Sequence, residues 1–348
     1  MLSIQKHLVQ ELVPIRVAME QLNKLGKNLT LFVIDKDDRL VGTLTDGDIR
    51  RGLIKGLGMS DPVKSFKFEK FRYLQKNNYK IATIQELRQL GILVVPIVDD
   101  QIRIVSILNL TTSFSILPVD AVIMAGGVGE RLKPLTEKIP KPMLKVGEKP
   151  IIEHNIDRLI KFGIEDITIS VRYLSDQIID FFGNGESKGI SIKYVYENNP
   201  MGTIASLKEV ASFNNDTILV MNSDLLTTVD FEDFYKQFEE DNSAMCIASI
   251  PYNVNIPYAV MEMQGNTVTS LQEKPTYTYY SNAGIYLIKK EMIQHIPFNK
   301  KFDATDLIEK LIELGEKVTS YPIRGYWLDI GKMDDFKKAQ IDIKHLKL

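Results

Sequence analysis

The 348-residue chain has one cysteine, Cys246, four histidines and one tryptophan. A lone cysteine excludes an internal disulfide and has no cysteine partner for a zinc site, which fits a reducing compartment. Charge of either sign is not in excess. Lys and Arg number 43 against 45 Asp and Glu, a net of -2, so no basic field is present to hold nucleic acid and any phosphate must be gripped locally. Long apolar runs are also missing. No segment reaches the roughly 18 uninterrupted apolar residues of a membrane helix, and charged and amide side chains break up the opening stretch Met1 to Glu11, unlike a signal peptide. The expectation is a cytoplasmic protein with neither membrane nor nucleic acid as partner.

What is present is a soluble composition, 44% apolar and 25% charged, in a chain long enough for two or three domains at about 100–200 residues each. The first third holds a pattern twice. Apolar residues run from Leu29 to Ile34, turn at Asp35-Lys36-Asp37-Asp38, and resume from Leu40 to Leu44 before a predicted helix from Asp46 to Ile54. The second copy has a helix from Ile84 to Leu90, a strand from Ile92 to Val98, a turn at Asp99-Asp100, and a strand from Ile102 to Leu108. Clustered turn residues between apolar runs predict hairpin reversals.

This repeat, from Val13 to Thr112, resembles a pair of cystathionine-β-synthase-type (CBS) domains, which bind adenosine nucleotides between repeats. By that resemblance Thr45 and Asp48 of Thr45-Asp46-Gly47-Asp48 would contact phosphate and ribose, and the pair would regulate the protein or join it into a homo-oligomer. The alternative is that Thr45 caps the following helix and Asp48 sits at its positive end. The second repeat lacks the pair at Ser106 to Leu110, so one nucleotide site is implied. The expected domains are 1–60, 61–117 and 118–348, with Thr111 to Ser115 and Pro118 as the linker.

From Asp120 onward, apolar strands (Ala121 to Met124, Ile167 to Val171, Thr217 to Met221) alternate with helical stretches (Ile151 to Phe162, Thr203 to Ala211). Such alternation predicts an α/β fold, a mixed and mostly parallel sheet with helices on both faces. The first strand runs into Met124-Ala125-Gly126-Gly127-Val128-Gly129-Glu130-Arg131-Leu132, a glycine-rich turn whose backbone amides can wrap a phosphate chain. No Gly-Lys-Ser/Thr follows, and Leu132 stands where a dinucleotide fingerprint has its third glycine. A purely structural turn is the alternative until the continuation through Lys133-Pro134 and Pro140-Lys141-Pro142 adds a second cation.

The run from Gly126 to Leu144 closely resembles the signature of sugar-nucleotide pyrophosphorylases, and the likeness continues to about Asp342. That resemblance implies a Rossmann-like nucleotidyltransferase that joins a nucleoside triphosphate to a sugar 1-phosphate and releases pyrophosphate. It implies that Arg131 grips the leaving pyrophosphate and Lys141 neutralises the α-phosphate, roles suited to a reaction driven by positioning and charge. Asp224 ends a buried strand at the sheet edge where such folds bind ligands, and Asp329 lies in the apolar run Gly325 to Gly331. Two carboxylates suffice for Mg²⁺, and the resemblance makes these its ligands. The alternatives are a helix cap or a turn residue for Asp224 and a buried hydrogen-bond partner of Trp327 for Asp329. Glu273, Lys274 and Asn282 resemble the segments that hold the sugar phosphate, with Lys274 on the attacking phosphate.

Glu197, in the run Tyr196 to Thr203 with Gly202 and Thr203, predicts the base. A carboxylate only accepts hydrogen bonds, and guanine offers two adjacent donors, N1-H and the exocyclic amine. The segment is similar to guanylyltransferases for mannose and heptose phosphates, which makes GTP the expected nucleotide. The alternatives are dTTP or UTP, with Glu197 in solvent and the backbone of Met124 and Gly126 reading the base, or a nucleotide-sensing regulator without turnover.

Overall fold

The computed structural model describes residues 3–26, 30–76, 78–197 and 199–346. It divides into two compact units, Met1–Ile116 and Leu117–Leu348, each described by itself.

The first unit repeats one arrangement. Strands Leu8–Gln10, Leu31–Ile34 and Leu40–Leu44 form one sheet, and Leu74–Gln75, Val94–Val98 and Ile104–Asn109 form another. In each the middle strand pairs parallel with the first and antiparallel with the third. The acidic turns match atom for atom: Asp35 Oδ1 accepts from the amides of Asp37 (2.8 Å) and Arg39 (2.9 Å), and Asp99 Oδ1 from those of Gln101 (2.9 Å) and Arg103 (2.9 Å). Each turn closes through a residue at φ 61°, Asp38 and Ile102. That left-handed position is why Ile102 belongs to the turn and the strand begins at Ile104. The preceding strand begins at Val94 rather than Ile92, and the helix spans Ile81–Gln89. The strand expected from Leu29 begins at Leu31, Leu29 itself lying outside the described residues. Phe32, Leu40, Val94, Val98 and Ile107 form one apolar cluster between the two sheets.

The second unit is a mixed α/β sheet. Numbered along this unit, its strands are β1 (Val119–Ala125), β2 (Asp166–Val171), β3 (Ser191–Tyr196), β4 (Thr217–Asn222), β5 (Met245–Asn255), β6 (Thr276–Lys289) and β7 (Val318–Pro322), in spatial order β3-β2-β1-β4-β6-β5-β7. Only β6 runs antiparallel to its neighbours. The order reverses at β1, and the crevice outside the carboxyl ends of strands at such a switch point is where open sheets take ligands.

Helices cover both faces. Helix Ala304–Glu313 sends Leu307 and Leu311 into a cluster with Val122, Val220 and Ile288, against which Val318 of β7 also packs. Tyr321, three residues further along β7, points to the opposite face because strand side chains alternate. There it meets Phe234 of helix Phe231–Glu240 at 5.0 Å between ring centroids. On that same helix Phe231 lies edge-on to Phe162 (5.4 Å), just past helix Ile151–Lys161.

One expectation is corrected. Thr203 to Ala211 is not an α-helix but a five-residue 3-10 helix, Ala205–Glu209. Gly202 sits at φ 92°, and Thr203 is tied elsewhere: its amide donates to Asp303 Oδ1 (2.9 Å) and its hydroxyl accepts from the Ala304 amide (2.9 Å). These bonds dock the start of helix Ala304–Glu313 and leave no room for a helical turn at Thr203.

Candidate active site

Strand β1 delivers the glycine turn to the switch point. Gly129 takes φ 71°, and a Cβ there would lie 3.0 Å from both Lys141 Cβ and Thr136 Cγ2, so the turn needs both the left-handed conformation and the missing side chain. Its carbonyl accepts from Thr136 Oγ1 at 2.8 Å, which holds the loop closed. Gly126 is needed for close approach: a Cβ would lie 2.9 Å from Glu197 Oε2.

The two aspartates come together through a short ladder. Leu225–Thr227, directly after Asp224, pairs antiparallel with Trp327–Asp329 in the register Leu225↔Asp329, and the Ile330 amide donates to the Asp224 carbonyl at 3.1 Å. Two carboxylates far apart in sequence thus become neighbours. Lys141 forms an ion pair with Asp224 Oδ2 and lies 3.9 Å from Asp329 Oδ1. The Asp329 carboxyl is held above its ordinary range, first by burial and then by the charge of Asp224, against the pull of Lys141 and Arg131. Arg131 stands beside Gly331, its Nη2 3.3 Å from where a Cβ would be.

Oδ1 of Asp224 and Oδ1 of Asp329 are both buried with no hydrogen-bond partner among the described residues. Leaving buried charged acceptors without a hydrogen bond is unfavourable by about 1–3 kcal/mol or more each, a cost that a bound cation would relieve. Mg²⁺ takes one or two carboxylates and completes its shell from phosphate and water; this donor set fits it. The indole of Trp327 donates to the Ala283 carbonyl (2.9 Å), not to Asp329.

Two cavities open on the pair. The first, about 410 Å³, is lined by Met124, Gly126, Gly127, Gly129, Arg131, Lys141, Glu197, Gly202, Thr203 and Asp224. Of the residues expected around a nucleotide, only Ala125 is not in its wall; it is buried in β1 just behind. The second, about 340 Å³, is lined by Asn282, Trp327 and Asp329 and shares Thr203 and Asn222 with the first. Glu273 and Lys274 line neither cavity and are exposed, without a hydrogen bond or ion pair among the described residues.

Three residues in this region were not expected. The Ser170 hydroxyl donates to Glu197 Oε1. Arg172 lines the first cavity with its Nε buried and without a hydrogen-bond partner among the described residues. Asn222 stands between the cavities. All three lie at the carboxyl ends of β2 and β4, so the edge rule that singled out Asp224 would have found them. Asn198, beside Glu197, lies outside the described residues.

In the first unit Thr45 and Asp48 form a capping box at the start of helix Asp46–Ile54. Asp48 Oδ2 accepts from the Thr45 amide (2.9 Å) and hydroxyl (2.7 Å), and Arg51 pairs with Asp48 Oδ1. Both side chains thus serve the helix.

A glycine turn, two cations and a carboxylate pair thus meet at the switch point of a mixed α/β sheet. Residues 120–345 match the Nucleotidyl transferase family, and the chain belongs to it. It is 30% identical over 239 residues to the UTP–glucose-1-phosphate uridylyltransferase of Synechocystis sp., covering 63% of this chain and 62% of that protein. It is 28% identical over 230 residues to the D-glycero-α-D-manno-heptose 1-phosphate guanylyltransferase of Aneurinibacillus thermoaerophilus, covering 65% of this chain and 99% of that one. The solved structure of HddC from Yersinia pseudotuberculosis complexed with GMP-PN superposes with a TM-score of 0.51 at 26% identity, over 64% of this chain and 99% of that one. The match spans less than two thirds of the uridylyltransferase's length.

Proposed function

We propose that the protein transfers GMP from GTP to a hexose or aminohexose 1-phosphate, giving a GDP-sugar and pyrophosphate. The observation that carries this reading is the meeting of two cavities at one carboxylate pair: the glycine-lined cavity suits a nucleoside triphosphate, and the smaller one suits a sugar phosphate. Both relatives act on sugar 1-phosphates, as their names state.

In this reading an oxygen of the sugar phosphate attacks the α-phosphorus in line, the bond to pyrophosphate breaks, and the anomeric carbon keeps its configuration. The nucleophile is already ionised near neutral pH, so no protein base is required. Lys141 neutralises the α-phosphate and Arg131 steadies the departing pyrophosphate. Asp224 and Asp329 would hold Mg²⁺, which when bound supplies further neutralisation of phosphate charge. Asn282 positions the sugar.

The guanine preference rests on Glu197. Ser170 occupies one lone pair of Oε1, and Oε2 faces Gly126 in the cavity wall, an acceptor surface for the two donors of guanine. The heptose phosphate relative is named a guanylyltransferase and HddC was solved with GMP-PN. For the first unit the proposal is a regulatory CBS pair that takes an adenosine nucleotide at Thr45 and Asp48.

A pyrophosphate-release screen of GTP, dTTP, UTP, CTP and ATP against hexose and aminohexose 1-phosphates tests the reading. GTP should give the highest kcat/KM; a pyrimidine nucleotide ahead of it ends the guanine assignment, and no release with any pair ends the transferase one.

A further inference from the structure

One charged group in the wall of the larger cavity has no part in the chemistry above. Arg172 stands one residue past the end of β2, and its buried Nε has no hydrogen-bond partner among the described residues. Its guanidinium forms no ion pair among them either, although Glu130 and Glu197 line the same cavity. Leaving a buried donor unmatched is unfavourable, a cost that an acceptor entering the cavity would relieve.

The backbone fixes where this side chain starts. β2 pairs with β3 as far as Val171↔Tyr196, and the Glu197 amide donates to the Val171 carbonyl (3.0 Å), which carries the ladder one residue further. On the other side, Tyr173 Oη lies 3.1 Å from the carbonyl oxygens of both Thr136 and Glu137. Arg172 is thus held between two anchored neighbours. Side chains two residues apart on a strand leave on one face; Ser170 uses that face to reach Glu197, and Arg172 continues the alternation into the cavity that Glu197 also lines.

The sheet order separates Arg172 from the other cations. β2 lies between β3, which leads into Glu197, and β1, which leads into the glycine turn; β4, which leads into Asp224, is one strand beyond β1. At about 4.8 Å between neighbouring strands, the Arg172 backbone starts about 5 Å from that of Glu197 and about 10 Å from the strand that delivers Asp224. Lys141 and Arg131 stand at that far end, one paired with Asp224 and the other beside Gly331. Arg172 belongs to the Glu197 end.

Glu197 leaves part of guanine unread. A carboxylate takes N1-H and the exocyclic amine, whereas O6 and N7, side by side on the next edge, need donors. A guanidinium presents a planar fork of donors that matches this pair; adenine puts an amine where guanine has O6, and uracil has no N7. We propose that Arg172 donates to O6 and N7 of guanine beside Glu197, so that the two side chains read both edges of the base. The assignment rests on the guanine reading of Glu197 and adds to it a second reason for ATP to be refused.

Calorimetry on the full chain, with Mg²⁺ and no sugar phosphate, reads binding without turnover. 7-Deaza-GTP, with carbon in place of N7, should bind the wild type about tenfold more weakly than GTP. ITP, which lacks the exocyclic amine, should lose affinity through Glu197 instead. Arg172→Ala should weaken GTP by about 10–100-fold and bring 7-deaza-GTP level with it, while the ratio of GTP to ITP and the affinity for UTP hold within about twofold. Arg172→Lys keeps the charge without the fork and should also lose the discrimination of N7; it serves if the alanine variant does not fold. A loss shared equally by GTP, 7-deaza-GTP and UTP would put Arg172 on ribose or phosphate and overturn the proposal, as would equal wild-type affinity for GTP and 7-deaza-GTP. A GTP preference unchanged by Arg172→Ala sinks this assignment alone. A wild type that binds UTP or dTTP more tightly than GTP sinks the guanine reading, and this assignment with it.

Discussion

The Ser170 hydroxyl donates to Glu197 Oε1 from the penultimate position of strand β2, and Ser170 is wholly buried. The carboxylate is thereby held against Gly126 in the wall of the larger cavity. Charge-assisted hydrogen bonds are worth about 1.5–3 kcal/mol each, so Glu197→Gln should lower kcat/KM for GTP by about 10–100-fold and leave UTP within a few-fold. Ser170→Ala should lower the GTP value by a smaller factor, since it frees the carboxylate without removing it. Equal losses for both nucleotides in Glu197→Gln would show that the residue does not choose the base.

The orphaned oxygens of Asp224 and Asp329 predict a split between activity and stability. Each is a buried acceptor beside another carboxylate. Asp329→Asn removes charge from the pair without opening a cavity, so Tm should hold or rise. The kcat should fall by about 10²–10³, as for loss of one preorganised charge, with a higher magnesium requirement. Turnover near wild type in both Asp224→Asn and Asp329→Asn would remove the pair from the reaction.

Lys141 predicts the opposite pattern. Its side chain is only 12% exposed between the two carboxylates, and its removal leaves both without their shared cation. Lys141→Ala should therefore slow turnover and also destabilise the fold, by less than the about 3–5 kcal/mol of a fully buried pair. Arg131→Ala, at an exposed position, should slow turnover by about 10²–10³ with little change in Tm. If thermal melts rank the two variants the other way, the assignment of Lys141 as the keystone of the cluster is wrong.

Much of this site was legible because the switch point follows from local pattern. An apolar strand ending in glycines, and a second ending in Asp224, give the edge rule all it needs. The ladder that sets Asp329 beside Asp224 is three residues long and joins segments about a hundred residues apart, a tertiary pairing that no local period encodes. The α-helix expected at Thr203 failed for a similar reason, because Asp303 and Ala304 take the hydrogen bonds of Thr203. Glu273 and Lys274 read as site residues from their motif. In the structure they are exposed just past the paired ends of β5 and β6 and line neither cavity, a placement no local pattern gives.

In the first unit the capping box makes Asp48 structural whatever else it binds. Asp48→Ala should destabilise helix Asp46–Ile54 by about 0.5–2 kcal/mol. If an adenosine nucleotide also binds there, calorimetry with AMP and ADP on the full chain should show heat that Asp48→Ala abolishes and Glu197→Gln leaves intact. No heat, or unchanged affinity in Asp48→Ala, leaves the repeat as a scaffold.

The last prediction concerns acid stability. Lys188 bridges Glu153 and Asp157, both at 2.7 Å, and Lys149 also binds Asp157 at 2.6 Å. Burial alone would raise the Asp157 carboxyl, but hydrogen bonds from Lys149 and Lys188 outweigh it and hold the group below its ordinary value. Burial would likewise lower Lys188, and its bonds to Asp157 and Glu153 outweigh that and hold it above its ordinary value. A depressed carboxylate stabilises the fold above its unfolded pKa, about 3.9, and the contribution fades as pH falls through the folded value; a raised lysine stabilises below about 10.4 and fades as pH rises through its folded value. Both contributions are therefore whole near neutrality. With side chains 14–26% exposed, the network lies between surface and buried pairs, so Lys188→Ala should lose about 1–2 kcal/mol at pH 7. At an acid pH below the lowered folded value of Asp157, protonation dissolves the same interaction in the wild type, and the gap between the two proteins should shrink. Urea melts at both pH values measure it, and a gap that stays constant would show that Lys188 acts through packing rather than through charge.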